Sequence, residues 1–294
     1  MPDKDLILRA TATQAPFRFV LIDLTRTVNQ IGQMHTARAH TLSLLAETSV
    51  ASLLLSSGLK YSGSVSLHVD FSGDLSFVQA DSTPMGLVRA MIPFDEIQKA
   101  GDFELMLSPQ RLRVRRLDEH AHLVQESVVE AASSHMGQNL AAFLMQSDQT
   151  RSGVGVFSKA NSHDDTRLDY AGGFLVEAYP GAEDRHLEIL DRVIRDMPSW
   201  DTFVQVDGGL DLRLLLDRLA GPFETEVVRE LVPAAHCPCS KIRTLDSLAA
   251  MPRQDLEQLA AENTDLEITC DFCRTMYLIS AKDLRELLDN LPPK

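Results

Sequence analysis

Apolar and polar residues alternate with a period of two in several short stretches of this chain and with a period near 3.6 in others. In SVSLHVDF, Val65, Leu67, Val69 and Phe71 fall on one side with polar residues between them, the pattern of a half-buried strand. SGD then supplies a turn, and LSFVQA the antiparallel partner. FRFVLIDL, residues 17–24, predicts another strand, as do RSGVGVFSKA and AGGFLVEAY further on. From Met34 to Ser57 the chain is rich in Ala and Leu and poor in breakers, which predicts one long helix closed by Gly58. SSHMGQNLAAFLMQS predicts a second. Strands and helices mixed in this way define an α+β core domain over residues 1–180.

Near Pro180 the pattern changes. GAEDRHLEILDRVIRDM sets Leu187, Leu190 and Val193 or Ile194 at helical spacing against a charged remainder, and LDLRLLLDRLAGPF carries a leucine stripe that ends at Gly221 and Pro222. A stripe of this kind packs into a core or, standing between a self-sufficient domain and a small module, forms a mobile amphipathic linker. Residues 181–231 are read as such a helical linker, with both possibilities open. Residues 232–294 form the small module. Its first helix begins at Ser240 with Ile242, Leu245 and Leu248 inward, and a second runs from Pro252 through Leu256 and Leu259. LEIT and MYLIS are short strands, and Ser280 caps a final helix with Asp283 three residues on. With so few large apolar residues, the module needs a staple to offset its chain entropy.

Composition narrows the function. The 294 residues, 44% of them hydrophobic, suffice for one large domain and a smaller one. A formal net charge of −14 opposes a chain whose main work is holding nucleic acid. The exception is RLRVRR, where alternation puts Arg111, Arg113 and Arg115 on one strand face and Leu112 and Val114 on the other. That face is either solvated and paired with acidic surface or a patch for acidic partner segments. MPDKDLILRA lacks a basic region followed by an apolar run, and SVASLLLSSGL is too short and hydroxyl-rich to cross a bilayer, so a cytosolic protein is expected. In a reducing cytosol, grouped cysteines are metal ligands or redox thiols rather than structural disulfides.

All four cysteines lie in two knots, HCPCS with Cys237 and Cys239, and CDFC with Cys270 and Cys273. Four thiolates complete a tetrahedral zinc ion and leave no position for water, which predicts one structural zinc on Cys237, Cys239, Cys270 and Cys273 and argues against zinc hydrolysis. His236 is then surplus, exposed or behind the ligands. Two alternatives are a zinc-ribbon nucleic-acid binder using Arg111 to Arg116 and a thiol oxidoreductase using CDFC alone. The latter normally starts a helix in a thioredoxin-like setting, whereas CDFC stands between two predicted strands. No catalytic residues are assigned: there is no HExxH, nucleophile elbow or P-loop, and SGVGVF lacks the third glycine of a dinucleotide loop. The chain is not expected to be an enzyme.

C-x-C, a spacer of about thirty residues and C-x-x-C is an uncommon combination. With GPFETEVVRELVPAAHCPCSK, AGGFLVEAYP, QSDQT and the opening FRFVLIDLT in the same order, the chain resembles the heat shock protein 33 family of redox-regulated bacterial holdase chaperones. AAMPRQDL, LVRAMIPF and HLVQESVVEA depart from that family's usual text. The resemblance implies a client-binding core, a helical linker and a zinc redox switch. It implies an ATP-independent chaperone that is inactive when reduced and zinc-bound. On that resemblance, forming disulfides Cys237–Cys239 and Cys270–Cys273 would release zinc, unfold switch and linker, and let unfolding client proteins bind. It also implies dimerisation on oxidation.

Overall fold

The computed structural model describes residues 4–59, 62–73, 75–93, 108–206 and 208–291. Asp74, the last residue of the expected SGD turn, lies outside them. The chain forms two compact units, Met1–His236 and Cys237–Lys294, and the fold is α+β as expected.

Among the described residues the first unit holds two sheets. One contains β1 (Leu6–Ala12), β2 (Phe17–Asp23), β8 (Ser152–Ala160), β9 (Leu168–Ala178) and β10 (Thr225–Leu231), in the order β10-β1-β2-β9-β8 with every pair antiparallel. The other contains β3 (Gly63–Ser72), β4 (Phe77–Ser82), β5 (Leu87–Met91), β6 (Ser108–Asp118), β7 (Leu123–Glu130) and the two-residue β11 (Ala234–Ala235), in the order β11-β5-β4-β3-β6-β7. Val65, Leu67, Val69 and Phe71 are all buried, as their alternation predicts.

The helix expected from Met34 to Ser57 is α2 (Ala39–Ser56), which begins later than Met34, and it is preceded by a helix that was not expected, α1 (Thr25–His35). Thr36 takes the left-handed conformation, φ 51°, and the Thr36 and Ala37 amides turn back onto Gln33 and Gly32 carbonyls. Neither glycine nor proline marks the break, so local sequence does not announce it. α2 packs against strands of both sheets and shares their apolar core, which is why it is buried nearly all round. Its serines spend their hydroxyls inside the fold: Ser52 meets Ser82 Oγ at 2.8 Å and donates to Ala80 O at 3.2 Å, and Ser49 donates to Leu45 O at 2.6 Å. α3 (Met136–Ser147) packs against β8. The double glycine of β9 allows close approach on both faces. A Cβ at Gly172 would stand 2.4 Å from Ile22 O and from Leu210 Cδ1, and one at Gly173 would stand 2.8 Å from Val50 Cγ1 of α2.

The other face of the five-stranded sheet is covered by the chain after Pro180. α4 (Asp184–Arg195), a 3-10 turn (Trp200–Phe203) and α5 (Leu212–Ala220) lay Leu190, Phe203, Leu212, Leu215, Leu216 and Leu219 on Leu8, Phe17, Phe19, Leu21, Phe174 and Val176. The leucine stripe is therefore a buried face. The stretch read as helical linker is not helical throughout, because Thr225–Leu231 pairs with β1 as β10.

One buried carboxylate ties this covering segment to the sheet. Asp23, at the end of β2, accepts from Thr25 Oγ1 at 2.6 Å, Thr25 N at 3.2 Å and Leu210 N at 3.0 Å. Burial, with the Asp5 charge adding, pushes its pKa up to about 6, although these hydrogen bonds pull the other way. A raised carboxyl pKa means stability present at low pH that is lost as pH rises through about 6. The first unit should gain about 1 kcal/mol from this group between about pH 7.5 and about pH 5. Thermal unfolding of wild type and Asp23→Asn at both pH values checks this, since the gain should vanish in the variant.

Candidate metal centre

The second unit is built around a small core of Leu256, Ala260, Ile279, Leu284 and Leu288. α6 (Lys241–Leu248) starts at Ser240, whose side chain accepts from Arg243 N; α7 (Arg253–Ala261) starts after Pro252; and α8 (Ala281–Asn290) starts at Ser280 with the expected capping box to Asp283. Asp283 also takes the Lys241 ammonium at 2.8 Å, so the starts of α6 and α8 are joined. The Lys241 and Ser280 hydrogen bonds hold the Asp283 carboxyl at about 2. Leu245 and Leu248 pack against the core as predicted, but Ile242 is 72% exposed. The cap sets the helix phase, and the side that carries Leu245 and Leu248 is taken up without it.

Strands β12 (Leu266–Thr269) and β13 (Met276–Ile279) form a hairpin whose turn is CDFC and the two residues after it. Cys270 N donates to Thr275 O and Arg274 N to Cys270 O, both at 2.9 Å, and Arg274 takes the left-handed φ of 58° that closes the turn. The HCPCS knot leads directly into α6. It brings Cys237 Sγ to 3.7 Å from Cys270 Sγ and Cys239 Sγ to 3.2 Å from Cys273 Sγ. All four sulfurs lie within 4.8 Å of one another, and all four cysteines are half-buried. Among the described residues this is the one such group of Cys, His, Asp or Glu. His236 is exposed and outside it, its amide donating to Val88 O in the first unit.

The electrostatics of the site suit a cation. Burial pushes the Cys239 and Cys270 thiols up. At Cys273 burial acts in the same direction but is outweighed by hydrogen bonds from Thr275 and contacts with Cys239 and Cys270, which leave it at about 7. Tyr277 Oη donates to Cys239 Sγ at 3.1 Å, and that bond lifts its own pKa to about 12. Four sulfurs this close repel one another as thiolates unless a metal neutralises them. Tetrahedral metal–sulfur bonds of about 2.3 Å put the sulfurs about 3.8 Å apart, close to the spacing found. The donor set therefore fits a metal ion. It also draws CDFC into a four-sulfur cluster, away from the helix start an oxidoreductase would use.

The arginine strand face forms as the alternation predicts, with Leu112 and Val114 buried. Arg111 pairs with Asp70 at 3.1 Å, and Arg113 and Arg115 with Glu126 at 3.6 and 3.0 Å. These guanidiniums already face carboxylates.

An α+β unit with its sheet covered by helices, followed by a four-cysteine unit, defines a two-part protein of core and metal-fitted module. The chain matches the Hsp33 protein family over residues 5–280 and belongs to it. Two relatives, each named 33 kDa chaperonin, come from Streptococcus pneumoniae strains JJA and G54. Both are 29% identical over 291 residues, which cover 97% of this chain and 98% of each relative. The crystal structure of a 33 kDa chaperonin, a heat shock protein 33 homolog from Thermotoga maritima, superposes with a TM-score of 0.80 at 22% identity, over 97% of this chain and 98% of that one. The fold is shared, and the family is one of chaperones rather than enzymes. No helix among the described residues is long and apolar enough to cross a membrane.

Proposed function

We propose that this chain is a cytosolic, ATP-independent holdase governed by the oxidation of its four cysteines. The observation that carries the reading is the covered sheet. Phe17, Phe19, Leu21 and Phe174 are at most 2% exposed beneath a segment that leads, residue by residue, into Cys237. An apolar face of this size, once uncovered, binds apolar segments of unfolding proteins.

Cys237, Cys239, Cys270 and Cys273 hold zinc in the reduced state. Zinc suits a closed set of four sulfurs, keeps them as thiolates and contributes folding free energy. Oxidation needs a peroxide or a comparable two-electron oxidant. One thiolate attacks the peroxide oxygen, giving a sulfenic acid and hydroxide; a second thiolate attacks that sulfur, forming the disulfide and releasing another hydroxide. Pairing within each knot, Cys237 with Cys239 and Cys270 with Cys273, consumes all four ligands. The module then loses its staple and unfolds, and residues 181–231 act as a linker that comes away from the sheet. The exposed surfaces hold clients and also allow homodimers to form.

The test is light scattering from an unrelated enzyme during heat denaturation, with reduced metal-loaded chain or with peroxide-treated chain present. The oxidised chain should suppress aggregation at near-stoichiometric ratio and the reduced chain should not. Peptide mapping on the same samples should find the two within-knot disulfides. Equal suppression by both forms would remove the switch.

A further inference from the structure

The segment just before the cysteines lies along an edge of each sheet. β10 pairs with β1 at the end of the five-stranded sheet, from Ile7 opposite Leu231 to Ala12 opposite Thr225. β11 pairs with β5 at the end of the six-stranded sheet, where Ala234 N donates to Gly86 O at 3.0 Å and His236 N to Val88 O at 2.9 Å. Residues 225–236 are thus one strap that satisfies the outward backbone groups of both β1 and β5.

The strap is a poorly matched partner for β1. Arg229 stands directly opposite Arg9, a like-charge pair that weakens an antiparallel ladder. Arg9 donates to Pro84 O at 2.7 Å, and its Nε is buried without a hydrogen bond among the described residues. Burial and the guanidiniums of Arg18 and Arg229 press its pKa below the ordinary arginine value. Arg229 reaches Met85 Sδ at 3.4 Å. The register slips between Arg9 and Ala10, and Val228, the residue passed over, is 64% exposed. Glu230 is set opposite buried Leu8 and turns its carboxylate to Arg213.

We propose that β1 is a client-capture edge, held shut by β10 and, once that strand leaves, filled by an extended segment of an unfolding protein that adds to the sheet through its main chain. The reading rests on the linker release described above. An uncovered edge offers a row of unpaired amides and carbonyls to any strand, whatever its sequence. Side chains then set preference. An acidic residue opposite Arg9 replaces repulsion with attraction, and apolar residues opposite Leu8 and Ala10 lie beside the face lined by Phe19 and Leu21. A second copy is the weaker occupant, because antiparallel pairing of two β1 strands brings their Arg9 guanidiniums together.

The experiment uses the full chain after peroxide treatment, with zinc release and thiol loss verified. The probe is a fluorescent peptide no shorter than the seven residues of β1, alternating valine and threonine around one glutamate. A second probe is identical but N-methylated at every other amide, which keeps the side chains and removes the donors of one edge. The unmodified probe should bind about tenfold more tightly than the methylated one, and more tightly than a lysine-for-glutamate probe. Arg9→Gln should erase the preference for glutamate and leave the methylation effect in place. Arg229→Glu, at an exposed position, should pair with Arg9 and slow the appearance of probe binding after oxidation about fivefold while zinc release is unchanged.

Hydrogen exchange over residues 225–231 separates the two ideas. If the strap stays protected after oxidation, linker release and edge capture are both wrong. If it exchanges freely while both probes bind within about twofold of each other, the edge assignment alone is overturned. A concentration-dependent dimer that excludes the probe would assign the edge to a second copy and overturn the client assignment.

Discussion

Stripping the metal from the reduced chain with a strong chelator is expected to unfold residues 237–291 and leave the first unit folded. The module's buried core is Leu256, Ala260, Ile279, Leu284 and Leu288. A four-thiolate zinc site contributes about 10–16 kcal/mol in apparent terms, more than a small single core supplies beyond its entropy cost. Cys270→Ser and Cys239→Ser should have the same effect without chelator, since three sulfurs leave an incomplete site. Metal analysis should give one zinc per wild-type chain and less than about half in either variant. Hydrogen exchange read by region decides the rest. A module that stays protected without metal would mean that packing alone holds it, and the switch would lose its physical basis.

The second large effect is expected from the covering helices. Leu215 in α5 is fully buried against the five-stranded sheet. Leu215→Asp places a carboxylate in that apolar contact and should weaken docking by about 3–5 kcal/mol. The reduced, metal-loaded variant should then suppress aggregation without oxidant and bind an apolar dye, while its zinc content stays at one. Leu214→Asp is the control, because Leu214 is 46% exposed. If α5 exchanges freely in Leu215→Asp and aggregation is still not suppressed, the face beneath the helix is not the client surface.

The strands with clean alternation were legible in the sequence, and so were the amphipathic helices after Pro180 and the capping box at Ser280. Each is set by neighbours within a few positions. The break after His35 was not, so α2 was expected to begin at Met34 and α1 was missed: Thr36 adopts the left-handed conformation with no glycine or proline to signal it. β1 and β10 were missed for a related reason: each is short and mixed in character, and β10 becomes a strand only through pairing with β1, more than 200 positions away, while β1 lies between β10 and β2. Ile242 was misplaced because helical spacing alone does not say which side of α6 meets the core.

The sequence by itself determined the donor set of the candidate metal centre. Two cysteines one residue apart and two more with two residues between them each sit on a short turn, and thiols so held form half of a tetrahedral set whatever the rest of the chain does. It also determined that α4 and α5 each have an apolar face. Only the tertiary structure decided what that face covers, that Arg111, Arg113 and Arg115 are answered by Asp70 and Glu126, and that residues 225–236 close the edges of both sheets just before the first cysteine. Local spacing specifies which side of an element is apolar or charged; the surface that meets it comes from distant parts of the chain and exists only once they have packed.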